Sequence, residues 1–138
     1  MTIIIDAENL IAGRLAAFAA KQTLLGEDVK IYNAEKAIIT GKRLTVLATW
    51  AHKNSTVGVW SKGPHHYKVP DRFLRRIVRG MLPYKSARGT AAYKRILCYK
   101  GLPEGITPNT QVAGAHVSKT THDYVTVQEI CRHIGGKA

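Results

Sequence analysis

Three stretches near the start constrain the fold more than anything else in the chain. Ile3-Ile4-Ile5 is a short continuous run of β-branched residues, the pattern of a buried strand. Leu10 to Leu25 reads as an Ala-rich helix, with Leu15, Phe18, Ala19 and Gln22 along one side and Gly26 just past its end. Val29 to Tyr32 is a second short strand. Strand, helix and strand within about thirty residues have the size of a βαβ unit, whose strands run parallel through a right-handed crossover. Ala16, Ala17, Ala19 and Ala20 leave the helix apolar almost all round, so it is expected to lie close against a sheet.

The rest of the chain is shorter in its signals. Thr40 is the expected N-cap of a second helix from about Gly41 to His52, with Leu44, Leu47, Ala48 and Ala51 on its apolar side. Lys53 to Lys68 is a loop carrying Trp60, His65, His66 and Tyr67, residue types that suit stacking and phosphate contact on folded RNA. A short helix over Thr90 to Tyr93 and a third strand over Arg95 to Tyr99 follow. A strand is expected near Ala115 to Val117, and Thr126 should cap a last helix through His133, closed by Gly135-Gly136. The 138 residues are one domain's length, residues 1–138, without internal repeat.

Charge decides the function class. Residues Lys62 to Lys100 hold eleven Lys/Arg and a single acid, Asp71, and so carry ten of the chain's twelve net positive charges. Charge this localised is the footprint of a polyanion-binding surface. Inside it, Asp71 to Leu82 reads as a helix that follows Pro70 and is stopped by Pro83, with Asp71 as N-cap. At about 100° per residue, Phe73, Leu74, Ile77, Val78, Met81 and Leu82 share one side. Arg72, Arg75, Arg76 and Arg79 share the other, and only Asp71, placed to meet Arg75, is spaced to neutralise any of them. Arg gives planar bidentate contacts to phosphate, which Lys does not. A solvated charged face is the alternative reading of the same pattern.

Other classes find less support. No apolar run approaches the ~20 residues of a membrane span, and the start lacks the charged and apolar regions of a secretory signal. Cys98 and Cys131 sit among apolar residues, as small core residues of a reducing, cytoplasmic compartment do. Cys131 and His133 have no second pair at metal-site spacing. The Gly41-Lys42 and Gly13-Arg14 pairs lack the spacing of phosphate-binding loops. His65 and His66 are the only candidates for general acid and base, in an RNA-processing enzyme, although adjacent side chains point apart.

Several segments resemble one family. Ala12-Gly13-Arg14-Leu15-Ala16, Asn33-Ala34-Glu35-Lys36 with Thr40-Gly41-Lys42, and Gly63-Pro64-His65-His66-Tyr67-Lys68 are similar to segments of the large-subunit ribosomal proteins called L-thirteen. Val78-Arg79-Gly80-Met81-Leu82-Pro83 resembles that family most, followed by Lys85, Arg88-Gly89 and Ala92-Tyr93-Lys94-Arg95-Ile96-Leu97. The resemblance covers about the first hundred residues, and the compact form is similar to the archaeal or eukaryotic branch. His65 departs from the aromatic residue expected there, and His stacks more weakly.

The resemblance implies an α/β fold, a small, mostly parallel sheet flanked by helices, with a basic helix and loop extension. It implies a structural role without catalysis or cofactor, bracing large-subunit ribosomal RNA, with neighbouring ribosomal proteins as further partners and no membrane or small-molecule substrate. The expected RNA contacts are Lys62, His65, His66, Tyr67 and Lys68 in the loop, and Arg72, Arg75, Arg76 and Arg79 on the helix. Lys85, Arg88, Lys94 and Arg95 follow, with Lys42 and Arg43 at the start of the second helix. The rival roles are the RNA-processing enzyme and a free RNA-binding regulator.

Overall fold

The βαβ unit forms as its spacing predicts. The structure is a computed structural model that describes residues 1–56, 58, 59, 61–120 and 122–137. Strand β1 (Thr2–Asp6) runs into helix α1 (Ala12–Leu24) and returns as β2 (Asp28–Tyr32), which pairs with β1 in parallel, Ile3 opposite Val29 and Ile5 opposite Ile31. Strand β4 (Ile96–Cys98) adds to the other side of β2, also parallel, giving the order β1-β2-β4. The register brings Ile5, Val29, Ile31 and Ile96 to full burial. The opposite face, with Ile4, Lys30 and Leu97 side by side, is more open.

Helix α1 packs against β2, α3 (Pro70–Gly80) and α4 (Ala87–Lys94), and α3 packs in turn on β4 and α5 (Val127–His133). Small residues make this close approach: Ala12, Ala16, Ala19 and Ala20 are buried with Leu15. The β1 edge is blunted by Asn109, which exchanges hydrogen bonds with Ile4 N–H and C=O and donates to the Thr2 carbonyl.

Three expectations are corrected. Thr40 does not cap a helix; it ends strand β3 (Ile38–Thr40), which pairs antiparallel with β5 (Tyr124–Thr126), and α2 (Arg43–Ser55) starts after Lys42. On α2 the buried residues are Val46 and Leu47, with Trp50 half-buried, whereas Leu44 is 81% exposed. Helix α2 packs on α5 and β5, and the Leu44–Ala48 stripe is left outside. Near Ala115 to Val117 there is only a single bridge, His116 to Leu10, followed by a 3-10 turn over Val117–Lys119. The last helix is as expected: Thr126 Oγ1 accepts from Glu129 N–H at 3.3 Å. Its exit requires glycine, because a Cβ on Gly136 would lie 2.1 Å from the Lys68 carbonyl oxygen.

Candidate nucleic-acid interface

Helix α3 holds the basic flank in place. Its first turn is shifted from expectation: Val69 is the N-cap, Pro70 occupies the first helical position and Asp71 lies in the first turn, accepting from Arg72 N–H. Proline suits that position because the N–H it lacks would have had no intrahelical partner. The helix ends at Gly80, two residues short of the expected end at Leu82, and Met81 is 45% exposed instead of buried. Phe73, Leu74 and Val78 enter the core with Leu82, and Ile77 is only half-buried. The apolar side is thus narrower than the periodicity suggests.

The four arginines divide into two kinds. Arg72 and Arg76 are exposed. Arg75 and Arg79 are half-buried, each laid over a tyrosine ring: Arg75 over Tyr93 at 4.3 Å and Arg79 over Tyr84 at 4.2 Å from guanidinium carbon to ring centroid. Arg75 also donates to the Tyr93 carbonyl at 3.3 Å, while its Nε is buried with no hydrogen-bond partner among the described residues. Asp71, the one acid of the segment spaced to meet Arg75, forms no salt bridge with it, and the guanidinium lies over Tyr93.

The turn that presents Tyr84 is firmly wired. Ser86 Oγ donates to the Pro83 carbonyl at 2.8 Å and accepts from Gly89 N–H at 3.1 Å, capping α4. Thr90 Oγ1 donates to the Tyr84 and Ser86 carbonyls. Helix α4 comes so close to this turn that a Cβ on Gly89 would sit 1.9 Å from the Pro83 oxygen.

Two recesses lie side by side along α3 and share Tyr67. One is an aromatic cleft lined by Trp50, His66, Tyr67, Phe73, Arg76 and Ile77. Trp50 packs on Phe73 with centroids 4.7 Å apart, His66 meets it edge-on at 5.9 Å, and Lys53 Nζ stands 4.7 Å from its ring. The other recess is lined by Tyr67, Arg72, Arg75 and Tyr93. Trp50, Tyr84 and Tyr93 escape a sequence reading because each finds its partner across a turn or between helices.

The remaining predicted contacts are scattered. Lys62, His65, Lys68, Lys85, Arg88 and Lys94 are exposed. Trp60, expected on the loop, lies outside the described residues. Arg95 donates to the Thr23 carbonyl at 3.3 Å and so helps close the C-terminal end of α1. Lys42 and Arg43 stand apart, at the start of α2; Lys42 borders a cleft with Thr40, Gly41, His122 and Asp123, and Arg43 is paired with Glu129.

Among the described residues, the salt bridges are Met1 to Glu27, Lys36 to Glu8 and Arg43 to Glu129, and none involves a cation between Lys62 and Lys100. That flank keeps its charge. Burial pushes the Cys98 and Cys131 thiols up to about 12, so both are protonated near neutrality and behave as packing groups. Cys131 is buried and His133 exposed, and among the described residues no three His, Cys, Asp or Glu side chains gather as metal ligands. Among the described residues, no helix is long and apolar enough to cross a membrane.

Fold and charge together describe an α/β protein with a single strongly basic flank built on α3. The family model of ribosomal protein L13 matches residues 1–105. The chain is also similar to the large ribosomal subunit protein uL13 of Methanopyrus kandleri, 44% identical over 96% of this chain and 86% of that protein. The proteins of the same name from Methanococcus maripaludis and Methanocaldococcus jannaschii are 38% and 39% identical, over 98% and 97% of this chain and 98% of each relative. The chain belongs to the ribosomal protein L13 family, and as such it is a structural ribosomal protein and not an enzyme. The similarity to whole relatives runs past Pro103, where the segment resemblance stops.

Proposed function

We propose that the chain, folded as one domain, is a constituent of the large ribosomal subunit in the cytoplasm that binds and braces large-subunit ribosomal RNA, with neighbouring ribosomal proteins as secondary partners. The observation that carries this is the run of cations from Lys62 to Lys100 with no carboxylate partner among the described residues, anchored through Phe73, Leu74 and Val78 to the core. Where RNA strands converge, Arg72, Arg76, Lys85 and Arg88 neutralise phosphates and release their counterions. Arg75 and Arg79, each held over a tyrosine ring and without a carboxylate partner among the described residues, present N–H donors to phosphate. Lys62, His65, His66, Tyr67 and Lys68 extend the surface along the loop, and Lys94 and Arg95 along the end of α4. Lys42 forms a second, smaller contact at the start of α2, where Arg43 is already paired with Glu129. Selectivity comes from RNA shape, since side chains do not read the deep major groove of A-form helices.

The test is to tag the chain in its own cell and fractionate the lysate on a sucrose gradient at low and then high salt. Co-migration with the large subunit that survives the salt wash is the expected result. A protein left at the top of the gradient would overturn the proposal in favour of a free regulator.

A further inference from the structure

The aromatic cleft beside α3 has a shape and a rim that a row of phosphate contacts does not explain. Its volume of about 190 Å³ is below the ~300 Å³ at which pockets for cofactors and drug-sized ligands begin. It is room for a single flat ring system. We propose that this cleft receives the base of one nucleotide extruded from the folded RNA, and that the adjoining Arg72–Arg75 recess takes that nucleotide's phosphate. The proposal deepens the RNA-binding function above and rests on it.

Four observations converge on that occupant. The walls are aromatic or aliphatic: Trp50, His66, Tyr67, Phe73 and Ile77. Such walls hold water poorly and offer π-faces and edges to a base. The rim is cationic, with Arg76 lining the cleft and Lys53 at the Trp50 ring, and neither forms a salt bridge among the described residues. The second recess shares Tyr67 with the first, so a ring on one side of that side chain and a charge on the other belong to one ligand of nucleotide size. Finally, Arg72 and Arg75 both line the second recess and neither forms a salt bridge among the described residues, which leaves two guanidinium groups for one phosphate. An apolar side chain from a neighbouring protein would fill the walls and leave the cationic rim and the two arginines of the second recess unmatched.

The experiment uses the full chain and deproteinised large-subunit ribosomal RNA from the same cell. Ultraviolet cross-linking with peptide and nucleotide mapping is paired with affinities at several salt concentrations for wild type, Tyr67→Ala, Tyr67→Phe and Arg75→Gln. Tyr67 is 46% exposed, so its replacement leaves the core intact. The expected result is a cross-link from the Trp50 or His66–Tyr67 peptide to one unpaired nucleotide. Tyr67→Ala should bind about ten-fold more weakly with an unchanged salt slope, because stacking releases no counterion, and Tyr67→Phe should bind like wild type. Arg75→Gln should both weaken binding and lower the salt slope by about one phosphate contact. Ribosomal RNA bound as tightly by Tyr67→Ala as by wild type, with no cross-link from either peptide, would overturn the base-binding proposal alone. Failure of the wild-type chain to bind the RNA would overturn the parent function as well.

Discussion

Arg43 and Arg79 are both guanidinium groups near the surface, and the chain uses them in opposite ways. Arg43 is held by a carboxylate, Glu129, while Arg79 is held by a ring, Tyr84. A carboxylate cancels the charge it positions. A tyrosine face positions the cation through its quadrupole and leaves net charge and in-plane donors available. The same contrast separates the two halves of the molecule. Outside the Lys62–Lys100 flank, Glu8, Glu27 and Glu129 are paired with cations, and Glu35 accepts from Gly101 N–H to tie a loop down. Along α3 and α4 tyrosines take the place of acids. Orientation without neutralisation is what a rigid polyanion-binding flank requires.

The largest expected effect tests whether α3 faces the way described. Val78 is fully buried, so Val78→Asp places an unpaired charge in the core and should cost at least about 3 kcal/mol, leaving the domain unfolded or nearly so in a urea melt. Ile77 opens on the aromatic cleft, and Ile77→Asp should keep a cooperative transition. Equal losses from the two would mean that the helix is rotated from its place here. Next comes the Pro83–Gly89 turn. Gly89→Ala forces a methyl group against the Pro83 oxygen and should cost about 1–3 kcal/mol in the same assay.

The periodic parts of the fold were legible. Ile3–Ile5, the Ala-rich α1 and Val29–Tyr32 carry strong local patterns, and Thr126 caps α5 as its sequence suggests. What stayed hidden depends on partners distant in the chain. Ile38–Thr40 becomes a strand because Tyr124–Thr126 lies beside it, with Ile11 bridging Ile38. The choice between Leu44 and Val46 as the inward side of α2 is made by its packing on α5 and β5, since an Ala- and Leu-rich turn reads as apolar from either side. Of the site, the arginine face of α3 was visible from spacing, and the tyrosines that divide it were not. Tyr93 reaches Arg75 from α4, and Trp50 reaches Phe73 from α2.

Smaller effects sharpen the comparison between rings and carboxylates. Tyr84→Ala should leave stability within about 0.5 kcal/mol, as for other exposed positions. It should weaken RNA binding by about 1 kcal/mol with the salt slope retained, because Arg79 loses its platform and not its charge. Lys36→Gln, which removes a cation already paired with Glu8, should leave RNA affinity nearly unchanged in the same titration.

The smallest effect at neutral pH is that of pH itself. Cys98 and Cys131 ionise at 9.0 when unperturbed and at about 12 in the fold, so the folded state holds more protons between those values. Their contribution to stability is therefore flat below about pH 9 and declines from there towards 12, and a Cys98→Ala/Cys131→Ala protein should show a shallower alkaline decline.

The central claim is that α3 presents unneutralised charge to RNA, and salt dependence tests it most directly. Affinity for deproteinised large-subunit ribosomal RNA would be measured against salt concentration for wild type and for Arg72→Gln/Arg76→Gln, which alters the two exposed arginines of the helix. The account predicts weaker binding by a folded protein and a logarithmic salt slope reduced by about 1.5, the share of two phosphate contacts. An unchanged affinity and slope would contradict it, and would place the RNA on another face of the molecule.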